Sequence, residues 1–174
     1  MELSRRALFE LSVRAEEDGR VRALVNAFIV RFIELLAAEK RAGGSRFWKL
    51  AQRAAPAIGR YRARKLAQLL DLRPSDVGDL GRLQDWEDRG FGVTGVWRER
   101  GRTRAVKCEV SCPFAHAATA VPEFCTEIVH AFETATYREL NPSYRLVPLT
   151  RLLSKGDSLC EFVHEIDDHP ERPT

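Results

Sequence analysis

The hydrophobic period of this 174-residue chain first switches from helical to alternating at Arg89-Gly90, and that change constrains the fold more than any other feature. In the first half, apolar residues recur every three to four positions, the spacing of one helix face. Leu8, Leu11 and Ala15 predict a helix over 4–18, with a stop at Asp18-Gly19. Val21, Leu24, Val25, Phe28, Ile29, Phe32, Ile33 and Leu36 give a wide apolar stripe over 20–42, ended by Gly43-Gly44. Such a stripe implies a buried face or a homodimer through the N-terminal helices. Ser45 is placed to cap a third helix running to about Leu72, with Pro56 as a kink or break. After the turn Pro74-Ser75-Asp76, a short amphipathic helix reaches about Asp88.

At Arg89-Gly90 the period becomes two. Phe91, Val93, Gly95 and Trp97 alternate with Gly92, Thr94 and Val96, as in a strand. Arg100-Gly101-Arg102 is a hairpin turn, and the return strand spans 104–112. On that strand Val106, Cys108, Val110 and Cys112 share one face, and Lys107, Glu109 and Ser111 the other. Pro113 ends it. Pro122 opens a helix that stops near Leu140, before Asn141-Pro142. Two more strands follow, over 144–149 and 158–166, then a frayed tail at 167–174. The expected fold is α+β: N-terminal helices packed on a small antiparallel ββ–α–ββ sheet. It forms one domain over 1–174, with a helical half at 1–88 and an α+β half at 89–166.

Composition narrows the function classes. With 44% hydrophobic and 30% charged residues the chain can build a core, which excludes disordered and collagen-like classes. No apolar run approaches the ~20 residues of a membrane span. The opening Met1-Glu2-Leu3-Ser4-Arg5-Arg6 has no apolar core, so no secretory signal is expected and the cytoplasm is the expected location. There the four cysteines are expected as thiols or ligands rather than structural disulfides. Residues 1–107 carry 23 Lys or Arg against 14 Asp or Glu, a net +9, while residues 108–174 carry 5 against 11, a net −6. The basic part reads as solvated helix faces. It has no zinc-finger, RNP or basic-zipper pattern, so nucleic acid is not an expected partner. All four cysteines and all four histidines fall in the acidic part, where a small-molecule site is expected.

Three segments concentrate the chemistry: Cys112-Pro113-Phe114-Ala115-His116, Pro122-Glu123-Phe124-Cys125, and Gly156-Asp157-Ser158-Leu159-Cys160-Glu161-Phe162. Cys125 lies in the first turn of the helix that Pro122 opens, where the helix dipole lowers a thiol pKa below ~8.5. The plainer alternative is a small buried filler. Cys112 ends a strand, and His116, four residues on, is placed to return as its base if the chain turns at Pro113. Otherwise Cys112 packs inward and His116 is exposed. Cys160 shares a strand face with Phe162 and His164, as a core residue or a site residue. Asp157 is a turn residue or a catalytic carboxylate. A metal is not expected: Cys108 and Cys112 stand ~13 Å apart along one strand, and no Cys-x2-Cys pair is present.

The order strand–Cys-Pro, Pro-x-x-Cys at a helix head, Asn-Pro and Gly-Asp-x-x-Cys-x-Phe resembles the L-2-amino-thiazoline-4-carboxylic acid hydrolase family. More distantly, it resembles the small-ligand-binding domains related to the 4-vinyl reductases. The resemblance covers roughly residues 90–166. It implies a cytosolic, cofactor-free hydrolase that opens a cyclic amidine-type C–S ring, with Cys112, Cys125 and Cys160 as the matching cysteines and Cys108 outside the pattern. Relatives carry an acidic residue soon after the helix-borne Cys, and here Glu127 occupies that neighbourhood. The expected machinery is Cys125 or Cys112 as nucleophile and His116 or Asp157 as proton shuttle. Arg145 or Arg151 would grip a substrate carboxylate, with Glu127 and Glu161 as further substrate contacts. The alternative is a ligand-binding or sensor domain that uses the same pocket without turnover.

Overall fold

A computed structural model describes residues 2–167. Four long helices come first: α1 (Glu2–Glu17), α2 (Gly19–Arg41), α3 (Arg46–Leu70) and α4 (Val77–Phe91). The hairpin β1 (Thr94–Arg100) and β2 (Arg104–Ser111) follows, then a single turn α5 (Ala115–Ala118). A π-helical segment, Phe124–Val129, runs directly into α6 (His130–Leu140). β3 (Tyr144–Leu146), a 3-10 turn (Leu153–Lys155) and β4 (Cys160–Ile166) complete the chain. The four strands form one antiparallel sheet in the order β1-β2-β4-β3. The α+β class and the ββ–α–ββ order are as the periodicity predicts. No helix among the described residues is long and apolar enough to cross a membrane.

Local chemistry explains the boundaries. The Asp18 carboxylate accepts the Arg20 N–H at 2.8 Å and starts α2. At α3 the expected Ser45 cap is replaced: the Glu39 carboxylate, from the end of α2, accepts the N–H groups of Phe47 and Trp48 at 2.9 and 3.0 Å. α3 passes through Pro56 without a break. The strand expected from Phe91 starts instead at Thr94, because α4 runs on through Phe91. Gly92 then closes the helix in the left-handed region (φ 74°). The tail expected at 167–174 lies, beyond Asp167, outside the described residues, as does His169.

Leu66 of α3 and Val77, Leu80 and Leu83 of α4 pack with Tyr137, Tyr144, Leu146 and Phe162, so both halves of the chain share this core. A second cluster joins Ile33, Leu36 and Ala37 of α2 to Ala51, Ala118, Val121, Phe124 and Ile128. The wide stripe of α2 therefore divides: Ile33 and Leu36 are buried, while Leu24 and Phe28 are 72% and 70% exposed. α3 and α6 make the most extensive pairing in the molecule. At their crossing Gly59 has no side chain to spare, since a Cβ there would stand 2.5 Å from the Phe132 carbonyl oxygen and 2.8 Å from Thr136 Oγ1.

Candidate functional site

The sheet turns an unusual face to the helices. Lys107 pairs with Phe162, and Glu109 with Cys160, across β2 and β4. Cross-strand partners project to the same side. That side carries Lys107, Glu109, Cys160, Phe162 and His164, all buried. The aliphatic set of β2 faces the other way, where Val106 and Cys108 pack under Leu159, and Val110 is 52% exposed. Strand alternation identified the two faces of β2; it held no sign of which one the helices cover. Gly95, paired with Glu109 on β1, makes room for it: a Cβ there would lie 3.2 Å from Glu109 Cα and Cγ.

Three of the four cysteines gather at the Glu109 end of this face. Cys160 is its cross-strand neighbour. Cys112 follows the end of β2, and Cys125 lies in the π-helical segment, a backbone form often found at functional sites. The Cys112, Cys125 and Cys160 thiols all feel the charge of Glu109, and Cys160 feels those of Cys112 and Cys125. The 3-10 turn covers two of them: the Leu153 N–H donates to Cys160 Sγ at 3.4 Å, and Ser154 Oγ to Cys125 Sγ at 3.6 Å. Asp157 holds that turn, its carboxylate accepting the Leu152 N–H at 2.7 Å.

The thiols are not ionised near neutrality, contrary to expectation. Burial pushes Cys112 and Cys160 up to about 12 and raises Cys125 as well. At Cys125 the loss of water outweighs the Ser154 hydrogen bond and the nearby Lys155 charge. The carboxyl among them is also perturbed. Burial, with Asp88 nearby, raises Glu109 to about 8, and Gln84 Nε2 donates to its Oε1 at 3.0 Å.

The other candidates lie elsewhere. His116 is exposed on α5. The Cys112 thiol is governed chiefly by burial, the N–H groups of Phe114 and Ala115, Glu109 and Cys125. Arg145 and Glu161 sit on the outer face of the sheet: Arg145 pairs with Glu165, and Glu161 with Arg98 at 3.6 Å. Glu127 is exposed and ties the π-helical segment to α3, accepting from Trp48 Nε1 and Gln52 Nε2 at 3.0 and 2.9 Å.

Next to the thiols lies a polar interior that the spacing of residues did not reveal. Arg62 of α3 pairs with Glu87 of α4, both buried. The Lys107 ammonium, 2% exposed, lies 2.7 Å from Asp85 and 2.5 Å from Asp88. Glu133 of α6 interacts with Arg62, Asp88 and Lys107, and burial raises it to about 7. His164, whose Nδ1 meets Tyr144 OH at 2.8 Å, is driven down to about 3 by burial and by Lys107. The contributing residues come from six elements, which is why no local motif announces them. Among the described residues no group of three or more His, Cys, Asp or Glu is arranged to hold a metal ion. No protein-family model matches this chain, and no curated protein or solved structure matches it.

Proposed function

We propose that the protein is a thiol-dependent hydrolase of a small cyclic amidine or thiazoline-type acid. The supporting observation is the meeting of three thiols, from three separate stretches of chain, at one buried carboxyl, Glu109. The motif resemblance of residues 90–166 supplies the substrate class. Glu109 takes the shuttle role expected of His116 or Asp157, because a carboxyl that titrates near 8 accepts and returns a proton at physiological pH. Cys112 or Cys125 adds to the amidine carbon while its S–H proton passes to the Glu109 carboxylate. The ring C–S bond then breaks, and the departing sulfur takes that proton. Water adds to the enzyme-bound carbon, giving a proton to Glu109, and the enzyme sulfur leaves and recovers it. Lys155, the cation nearest in effect to the Cys125 thiol, replaces Arg145 as the group to hold a substrate carboxylate.

The test is ring opening of 2-aminothiazoline-4-carboxylate by purified variants. Cys112→Ala and Cys125→Ala should abolish it with the fold intact by circular dichroism. Glu109→Gln should cut kcat/KM by about 10²–10⁴. The wild-type rate should climb through about pH 8 as Glu109 ionises. Full activity in both cysteine variants would overturn the mechanism. The raised thiol pKa values favour a second reading, a binding or sensor domain that holds such a molecule without turning it over. Saturable binding with no product in wild type would establish that one.

A further inference from the structure

We infer that the exposed face of α2 is the contact surface of a homodimer, in which α2 of one copy packs antiparallel on α2 of a second, with Phe28 of each against Arg31 of the other. The contact involves none of the thiols, so it holds or fails separately from the hydrolase.

α2 is apolar on two opposite sides. Ile33, Leu36 and Ala37 enter the core. On the other side Leu24, Phe28 and Leu35 are 72%, 70% and 47% exposed. A single exposed apolar side chain is ordinary, whereas a line of them along one helix marks an interface. This line keeps a strict spacing. Val21, Leu24, Phe28, Arg31, Leu35 and Ala38 follow one another at intervals of 3, 4, 3, 4 and 3 residues. Val21 is half-buried and the other five are exposed. Such alternation has a mean period of 3.5, the seam by which one helix winds on another, and differs from the broader stripe that a helix lays on a globular core. From Val21 to Ala38 the seam runs about 26 Å at 1.5 Å per residue.

Charge selects the occupant and its direction. Arg31 is the one charged residue of the seam. Its side chain is 81% exposed and holds the Glu34 carboxylate of the same helix at 2.6 Å. Parallel packing of two copies would press Arg31 against Arg31. In one antiparallel register Val21 faces Ala38, Leu24 faces Leu35 and Phe28 faces Arg31, and the two-fold axis repeats each pair. Every seam residue then has a partner, and the guanidinium lies over an aromatic ring, a favourable place for a cation. Sliding by one heptad puts Leu35 opposite Glu17, or Leu24 opposite Ala42 past the end of the helix. The seam is therefore complementary to itself in a single register, which a helix of another protein would not require.

The experiment is sedimentation equilibrium of the full chain across the micromolar range, to about 200 μM. So short a seam falls below the ~800 Å² per partner of a standard interface, so the expected dimer is one that exchanges with monomer. The mass should rise with concentration from 19.8 kDa towards twice that value. Phe28→Glu should keep the circular dichroism spectrum and weaken association by about tenfold or more. If Phe28→Glu does not fold, Leu24→Glu on the same open face decides in its place. Oxidative cross-linking reads the direction, with wild type as the blank. Leu24→Cys combined with Leu35→Cys should give a covalent dimer, while Leu24→Cys alone should not, because antiparallel helices hold the two copies of position 24 about 16 Å apart. A mass of 19.8 kDa throughout, undiminished association in the glutamate variant that folds, or equal cross-linking by Leu24→Cys alone would overturn the inference.

Discussion

With its ammonium 2.7 Å from Asp85 and 2.5 Å from Asp88, and 5.1 Å over the Trp97 ring, Lys107 neutralises one wall of the interior. Lys107→Met keeps most of the stem but takes the ammonium from both carboxylates: Asp88 is stranded, and Asp85 retains Trp97 Nε1 at 2.8 Å and Arg100 at 3.5 Å. The expected loss of stability is about 3–5 kcal/mol at pH 7. Urea denaturation should show that loss shrinking at pH 4, where these carboxyls can take up protons; an equal loss at both values would point to packing instead. Part of the candidate site was legible at this scale. Cys112, Cys125 and Cys160 could be picked from their motifs, and all three thiols feel the charge of Glu109. Glu109 could not, because a charged residue on a strand ordinarily marks the solvent face. Here burial is offset by Gln84, Lys107 and a glycine opposite. The ionisation state of the thiols was likewise hidden: a helix start lowers a thiol pKa only while water remains nearby, and these thiols are largely stripped of it.

Among the elements, the helix pair α3–α6 is set by one position. Gly59→Ala would put a methyl group 2.5 Å from the backbone oxygen of Phe132, an atom that cannot swing aside. The expected cost is about 1–3 kcal/mol, read as a lowered urea midpoint, even though Ala is the better helix former. A neutral or stabilising result would mean that the helices part easily. The elements themselves were largely readable, because the switch from helical to alternating spacing is a local property. What local spacing lacked was contact across the chain. The Glu39 carboxylate, not the Ser45 hydroxyl, closes the start of α3. The helix head expected to activate Cys125 is instead a π-helical segment.

For the molecule as a whole, the buried groups set an uncommon pH profile. Burial raises Glu109 from 4.5 to about 8 and Glu133 from 4.5 to about 7. The folded state holds those protons after the unfolded chain has released them, so this contribution is complete below 4.5 and is lost as pH climbs to 8. His164 works in the opposite sense. Lowered from 6.5 to about 3, it favours the folded state above 6.5 and penalises it as pH falls. Between 4.5 and 6.5 two carboxyls outweigh one imidazole. Stability should therefore peak near about pH 5 and decline towards pH 8. Urea midpoints across that range would show it, with Glu109→Gln flattening the alkaline side; a maximum at pH 7–8 would contradict the assignment. The glycine crossing has one more consequence. A wall fused backbone to backbone at Gly59 makes a poor doorway. The cover over the Cys125 and Cys160 sulfur atoms is of another kind, a three-residue turn fastened by two hydrogen bonds to sulfur and one aspartate latch.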